Sequence, residues 1–223
     1  LVADYAAQPR WWEPFVVRTS IANLNTQHRI LLNDFGALST VGENAAYSNL
    51  AWGDSRETYT PSKRGNTVAV TLEAILADDL RAILQIPRKL AAAATVTINE
   101  FVSGLFTANG GFGPVMADGF NVFDAVNHQG NAGAAALASG SLQAALVTLA
   151  KMTNAAGKRI GVRGRFLLVP PDLQFSAQVI TQSQLVPGSN NNDANVLRGM
   201  LDVIVVPNWT DSNNWYVLAD PAQ

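Results

Sequence analysis

The stretch "FLLVPPDLQFSAQVI", residues 166–180, constrains the fold more than any other part of the chain. A run of apolar residues of strand length meets two prolines and passes at once into apolar residues at helical spacing. Pro170 and Pro171 end the strand because neither carries a backbone N–H for a ladder, and proline is tolerated in a first helical turn. "GRFLLVP" is therefore expected to be a buried strand and "PDLQFSAQVITQS" an amphipathic helix, with Phe166 and Val179 in the core. Such a junction either carries an active site at the end of a strand or is a structural corner.

Further elements read α+β. "TVAVTLEAILADDLRAIL" alternates and then turns helical at about Leu72. The strongest helical pattern is "IPRKLAAAATVTINEFVSGLFTANGG". Pro87 suits its first turn, and Leu90, Ala94, Ile98, Phe101, Val102, Leu105 and Phe106 mark one face. Asn109-Gly110-Gly111 supplies the stop, which gives a helix of roughly 33 Å over about 22 residues. Leu105 and Phe106 are expected at its buried centre, and the small residues Ala91 to Ala94 permit close packing. Ser141 is expected to cap "LQAALVTLAKMTNAAG", with Leu142, Leu146 and Leu149 inward and Gly157 as the stop. "GMLDVIVVPNW" and "NWYVLADP" read as two strands around a turn at residues 211–214.

The first third of the chain is irregular. Residues 1–38 suit an extended arm, with Pro9, Trp11, Trp12 and Pro14, followed by a short helix or turn. Residues 39–66 suit a long β-hairpin or excursion, punctuated by Gly53-Asp54, Pro61 and Gly65-Asn66. A loop this long usually has a partner. Its mixture of aromatic and charged residues (Trp52, Asp54, Arg56, Glu57, Tyr59, Lys63 and Arg64) suits a contact arm better than a core strand.

Reactive chemistry is sparse. With no cysteine, thiolate metal sites and cysteine nucleophiles are excluded. His28 and His128 are the two candidate bases, and no G-x-S-x-G elbow accompanies them. His128, in a Gly- and Asn-rich turn, reads as a structural hydrogen-bonding residue. Asp78-Asp79 diverge by about 100° on a helix and do not converge on one ion. "NAAGKRI" lacks the first glycine of a phosphate loop, and "GGFGPVMADG" follows a helix and misses the dinucleotide-binding spacing. Asn208-Trp209-Thr210 is a chance sequon.

Charged residues make up 14% of the chain against a usual figure of about 25%. Large neutral surfaces of this kind tend to be contact surfaces. The net charge of -2 supplies no overall field for a polyanion, and basic residues fall singly or in pairs. No unbroken apolar run reaches the roughly 18 residues that span a bilayer, so no membrane contact is expected. "LVADYAAQPRWWEPF" has no signal-peptide design and suits a processed product or a piece of a longer chain. The expectation is a non-enzyme with no catalytic, cofactor or metal site.

Five segments in order carry a resemblance: "TLEAILADDLRAILQIPRKLAAAATVTINEFVSGLFTANG", "DGFNVFDAVNHQGN", "GSLQAALVTLAKMTNAAGKRIGVRGRFLLVPPDLQFSAQVI", "LRGMLDVIVVPNW" and "NWYVLADP". Together, over about residues 70–221, they resemble the major capsid protein of tailed bacteriophages, in the Mu-like major head subunit group. The resemblance implies an HK97-type capsid fold. In it, residues 1–38 are the N-terminal arm, 39–68 the E-loop β-hairpin, 69–111 the peripheral domain with its spine helix, and 112–223 the axial domain. It also implies a C-terminal return to the peripheral domain, which the sequence to Gln223 does not include. The implied role is structural: self-assembly into hexamers and pentamers of an icosahedral shell, built in the bacterial cytoplasm and retained in the virion. Implied partners are other copies of the chain, a prohead protease or scaffold, portal and decoration proteins, and packaged DNA held non-specifically. Two other classes compete: a hydrolase working through a carboxylate and His128, and a monomeric binding module using Trp11, Trp12 and Trp52.

Overall fold

A computed structural model describes residues 10–32, 37–49, 53–77, 82–186 and 193–221. In chain order the elements are β1 (Gln27–Leu32), β2 (Asp54–Tyr59), α1 (Leu72–Leu76), α2 (Ile86–Gly111), α3 (Ser139–Lys151), β3 (Gly164–Val169), α4 (Gln174–Gln182), β4 (Asp202–Val205) and β5 (Tyr216–Ala219). Short 3-10 turns occupy Ala82–Gln85 and Pro171–Leu173. The architecture is mixed α and β with two small sheets, in line with the α+β reading. Expected Asp78 and Asp79 lie outside the described residues.

β3 organises the larger sheet. It pairs in parallel with β4 and antiparallel with β5, in the order β4-β3-β5. Alternate side chains of a strand point to opposite faces, and here both faces are covered. Leu167 and Val169 pack with Leu142, Ala177 and Ile180 of α3 and α4. Phe166 and Leu168 pack with Val206 and Trp209, backed by Phe15, Phe106 and Tyr216. That double burial explains the continuous apolar run. β4 and β5 are strands, as their sequences suggest, but they do not pair with each other across the 211–214 turn. The more apolar β3 lies between them, where both edges as well as both faces are covered.

At the end of β3 the buried Pro170 holds an extended backbone (φ -68°, ψ 164°) and its carbonyl accepts the Leu173 N–H at 3.1 Å. The opening junction is thus a corner. α4 then buries Ala177, Ile180 and Thr181, whereas Val179, on the opposite side, is 51% exposed and is not core. α3 begins before Ser141, which occupies its third position. The Ser141 hydroxyl accepts the Ala138 N–H at 2.9 Å and donates to the Ala136 carbonyl at 2.7 Å. α3 ends at Lys151 rather than Gly157, because Asn154 and Gly157 are used by a separate tight turn.

α2 is regular to Thr107 and leaves helical geometry at Ala108, Asn109 and Gly110. It buries Ala91, Thr95, Val102 and Ser103, a narrow stripe of mostly small side chains. The buried Trp12 meets the same helix, its Nε1–H donating to Asn99 Oδ1 at 2.8 Å. Of the face expected to be core, Val102 is buried and Phe106 packs against the Phe166–Trp209 cluster, whereas Phe101 is 50% and Leu105 41% exposed. An 18-residue window of α2 has mean hydropathy 1.3, so by length and composition alone it could cross a membrane. This does not overturn the expectation of no membrane contact, since Thr, Asn and Ser interrupt the run and length and composition alone do not place a helix in a bilayer.

Candidate assembly surface

β1 and β2 form a two-stranded antiparallel hairpin, in register from Gln27 opposite Tyr59 to Leu32 opposite Asp54. It starts inside the segment read as an arm, so residues 27–32 are a strand and not a short helix or turn. The partner that makes them a strand is more than twenty residues away, invisible to local pattern. Conversely, among its described residues the 39–66 excursion contains only the second strand. The base is closed by a 3.0 Å hydrogen bond between the Thr26 and Thr60 hydroxyls.

The expected contact residues divide along this hairpin. Asp54, Arg56, Glu57 and Tyr59 lie on β2, Lys63 and Arg64 follow it, and Trp52 lies outside the described residues. Arg56 reaches diagonally across the strands, its Nε–H donating to His28 Nδ1 at 3.0 Å. The Glu57 carboxylate, on the other face, accepts the Ala117 N–H with both oxygens at 3.2 Å. The Arg64 guanidinium stands 5.5 Å from the centre of the exposed Phe101 ring on α2. Lys63 and Asp54 are exposed. Meanwhile Ile30, Leu31 and Leu32 are each more than half exposed. They occupy both faces of β1, so neither face is covered. A lone two-stranded hairpin is marginal in water, and large uncovered apolar surface marks contact sites.

Glu57 lands on a turn built by polar side chains. Asp118 Oδ1 accepts the Phe120 N–H at 2.9 Å, and Asp118 Oδ2 meets His128 Nε2 at 2.8 Å. The remaining imidazole nitrogen, Nδ1, faces the Val122 carbonyl at 3.1 Å. Hydrogen bonding to Asp118 raises the His128 pKa above its ordinary value. Backbone N–H donation from Phe120, then the His128 bond, lowers that of Asp118. Asp124 is lowered in the same way by the N–H groups of Asn127 and Val126. Both histidines thus have their ring nitrogens engaged with structural partners, which is poor geometry for a hydrolytic base. Among the described residues no three His, Asp or Glu side chains gather to hold a metal.

Sequence reasoning missed a cleft of about 730 Å³ between α3 and β5, lined by Ala132 to Ala136, Ala144 and Tyr216 among others. Its lining carries no ionisable group but the Tyr216 phenol, which donates to the carbonyls of Phe106 (3.1 Å) and Gly111 (2.8 Å). Burial pushes that phenol up to about 12. The Glu57–Ala117 contact was also missed, although the Asp-Gly pair at 118–119 does signal a turn.

A family model described as phage capsid protein matches residues 56–223, more than half of the chain. No match is found among curated proteins or among solved structures.

Proposed function

The chain belongs to the phage capsid protein family, and from that premise we propose that it is a Mu-like major head subunit of HK97 type. In this reading it assembles through hexamers and pentamers into an icosahedral shell around DNA. The β1–β2 hairpin is the E-loop, residues 69–111 the peripheral domain with α2 as its spine helix, and residues 112–223 the axial domain. Assembly takes place in the host cytoplasm, with a prohead protease or scaffold, portal and decoration proteins as further partners.

One observation carries this reading: a charged and apolar hairpin that its own chain covers on neither face. The uncovered stripe of α2 adds to it, with Phe101 and Leu105 offered at the foot of the same region. Symmetric assembly multiplies weak contacts of this kind, because each copy presents both the arm and its receptor. Light scattering and negative-stain microscopy of the purified chain are expected to show rings or shells. A single monodisperse species at the 23.8 kDa of one chain, at every concentration and salt tried, would overturn the proposal.

A further inference from the structure

The chain's charge is segregated. Residues 125–171 hold five of its fifteen Lys and Arg and none of its seventeen Asp and Glu. The remainder therefore carries ten cations against seventeen carboxylates, so a segment of +5 sits in a chain whose net charge is -2. Of these five, Arg165 meets Asp220 at 2.5 Å and Asp202 at 3.6 Å.

The other four are gathered by the link between α3 and β3. Lys151 closes α3, and the chain then folds back on itself. Thr153 bridges Arg159, and the Ile160 N–H donates to the Met152 carbonyl at 3.0 Å. Asn154 builds the tip, its Oδ1 accepting the N–H groups of Ala156 at 3.1 Å and Lys158 at 2.9 Å. Gly157 takes the left-handed backbone that this tip needs (φ 72°). Gln129 pins the base, accepting the Thr153 N–H at 2.7 Å and donating to the Thr153 carbonyl at 2.9 Å. Lys151, Lys158, Arg159 and Arg163 are all exposed on this short braced hairpin.

We propose that this hairpin, residues 151–163, is a contact for the phosphate backbone of nucleic acid. Four exposed cations on a fixed loop, with no carboxylate within the segment, make a local positive field that the chain's overall charge conceals. No base-reading groups accompany them, so the contact is independent of sequence. The inference rests on the capsid reading only for the source of the phosphate. Binding is measured on soluble subunits, so a failure to form shells leaves its outcome intact.

The test is fluorescence anisotropy of a labelled 30-base-pair duplex of random sequence with the full chain. With about four phosphates neutralised, affinity should fall about a hundredfold between 50 and 200 mM salt. Lys158→Gln with Arg159→Gln should weaken binding about tenfold at the lower salt and make the salt dependence shallower by roughly two phosphates. Lys89→Gln with Arg198→Gln, an equal loss of exposed charge elsewhere, should change affinity less than about threefold. Absence of duplex binding, or equal losses in the two variants, overturns the proposal. So does a Lys158/Arg159 variant that keeps duplex binding and loses self-association, which would identify the acidic surface of a second copy as the occupant.

Discussion

Asp118 Oδ2 stands 2.8 Å from His128 Nε2 while His128 Nδ1 stands 3.1 Å from the Val122 carbonyl. Both imidazole nitrogens face acceptors, so only the protonated ring donates to both. This pair braces the turn whose Ala117 N–H holds Glu57, and so ties the hairpin's seat to one proton.

The first prediction concerns that proton. The folded His128 pKa is raised, so its stabilising contribution is fully present below the ordinary value of 6.5 and is lost as pH rises through the folded pKa. Asp118 is lowered, so its contribution is present above 3.8 and is lost as pH falls through its folded pKa. The protection factors of residues 116–131, exchange rates taken relative to the intrinsic rate at each pH, should therefore be greatest between these limits and fall on the alkaline side. His128→Gln should remove that alkaline loss of protection; an unchanged protection profile in that variant would refute the assignment.

The second prediction separates core from contact surface. Phe166→Ala and Leu167→Ala should each cost about 2–5 kcal/mol in urea unfolding, as large-to-small core changes do. Leu105→Ala and Val179→Ala, both largely exposed, should stay within about 1 kcal/mol. Leu105→Ala should nonetheless reduce assembly yield. A loss of about 3 kcal/mol or more at Leu105 in the soluble subunit would return it to the core.

A third prediction follows from Glu57. Glu57→Ala frees the hairpin from Ala117 while leaving both hydrophobic clusters intact. Limited proteolysis should then cut faster within residues 27–59, with little change in the unfolding midpoint. Assembled particles of the unaltered chain should resist cutting there. Equal cleavage of subunit and particle would mean that the hairpin is not covered on assembly.

Much of this fold was legible because β3 and α2 carry their own local signals: a strand-length apolar run ended by two prolines, and a helix opened by Pro87 and closed at Asn109-Gly110. The failures share a physical cause. Periodicity identifies an apolar face but not what covers it, and α2 has more apolar surface than its own chain buries. The residues that are buried, Ala91, Thr95, Val102 and Ser103, are mostly small, so they leave a weaker apolar signal than the exposed Phe101 and Leu105. β1 has no local strand signal of comparable strength, and its structure comes from β2. The residues Asp54 to Arg64 stood out as a group by their mixed chemistry, whereas Ala117, which contributes only a backbone N–H, has no side-chain signature at all.

The last prediction sets two glycines against each other. Gly164 opens β3 where its register with β5 shifts. A Cβ there would lie 2.6 Å from Leu146 Cδ2 and 2.7 Å from Val217 Cγ1. Both neighbours pack on the Leu142–Leu167 cluster, and the β-branched Val217 has little rotamer freedom with which to yield. Gly164→Ala should therefore destabilise by about 1–3 kcal/mol through overpacking. Gly104 lies within α2 with no atom within 4 Å of the same position, so Gly104→Ala should stabilise the subunit by roughly 0.5–1 kcal/mol through helix propensity. The one substitution thus carries opposite signs at two sites, decided by packing at Gly164 and by chain entropy at Gly104. Urea midpoints moving in the same direction for both variants would show that the close approach of β3 to α3 and β5 is wrongly placed.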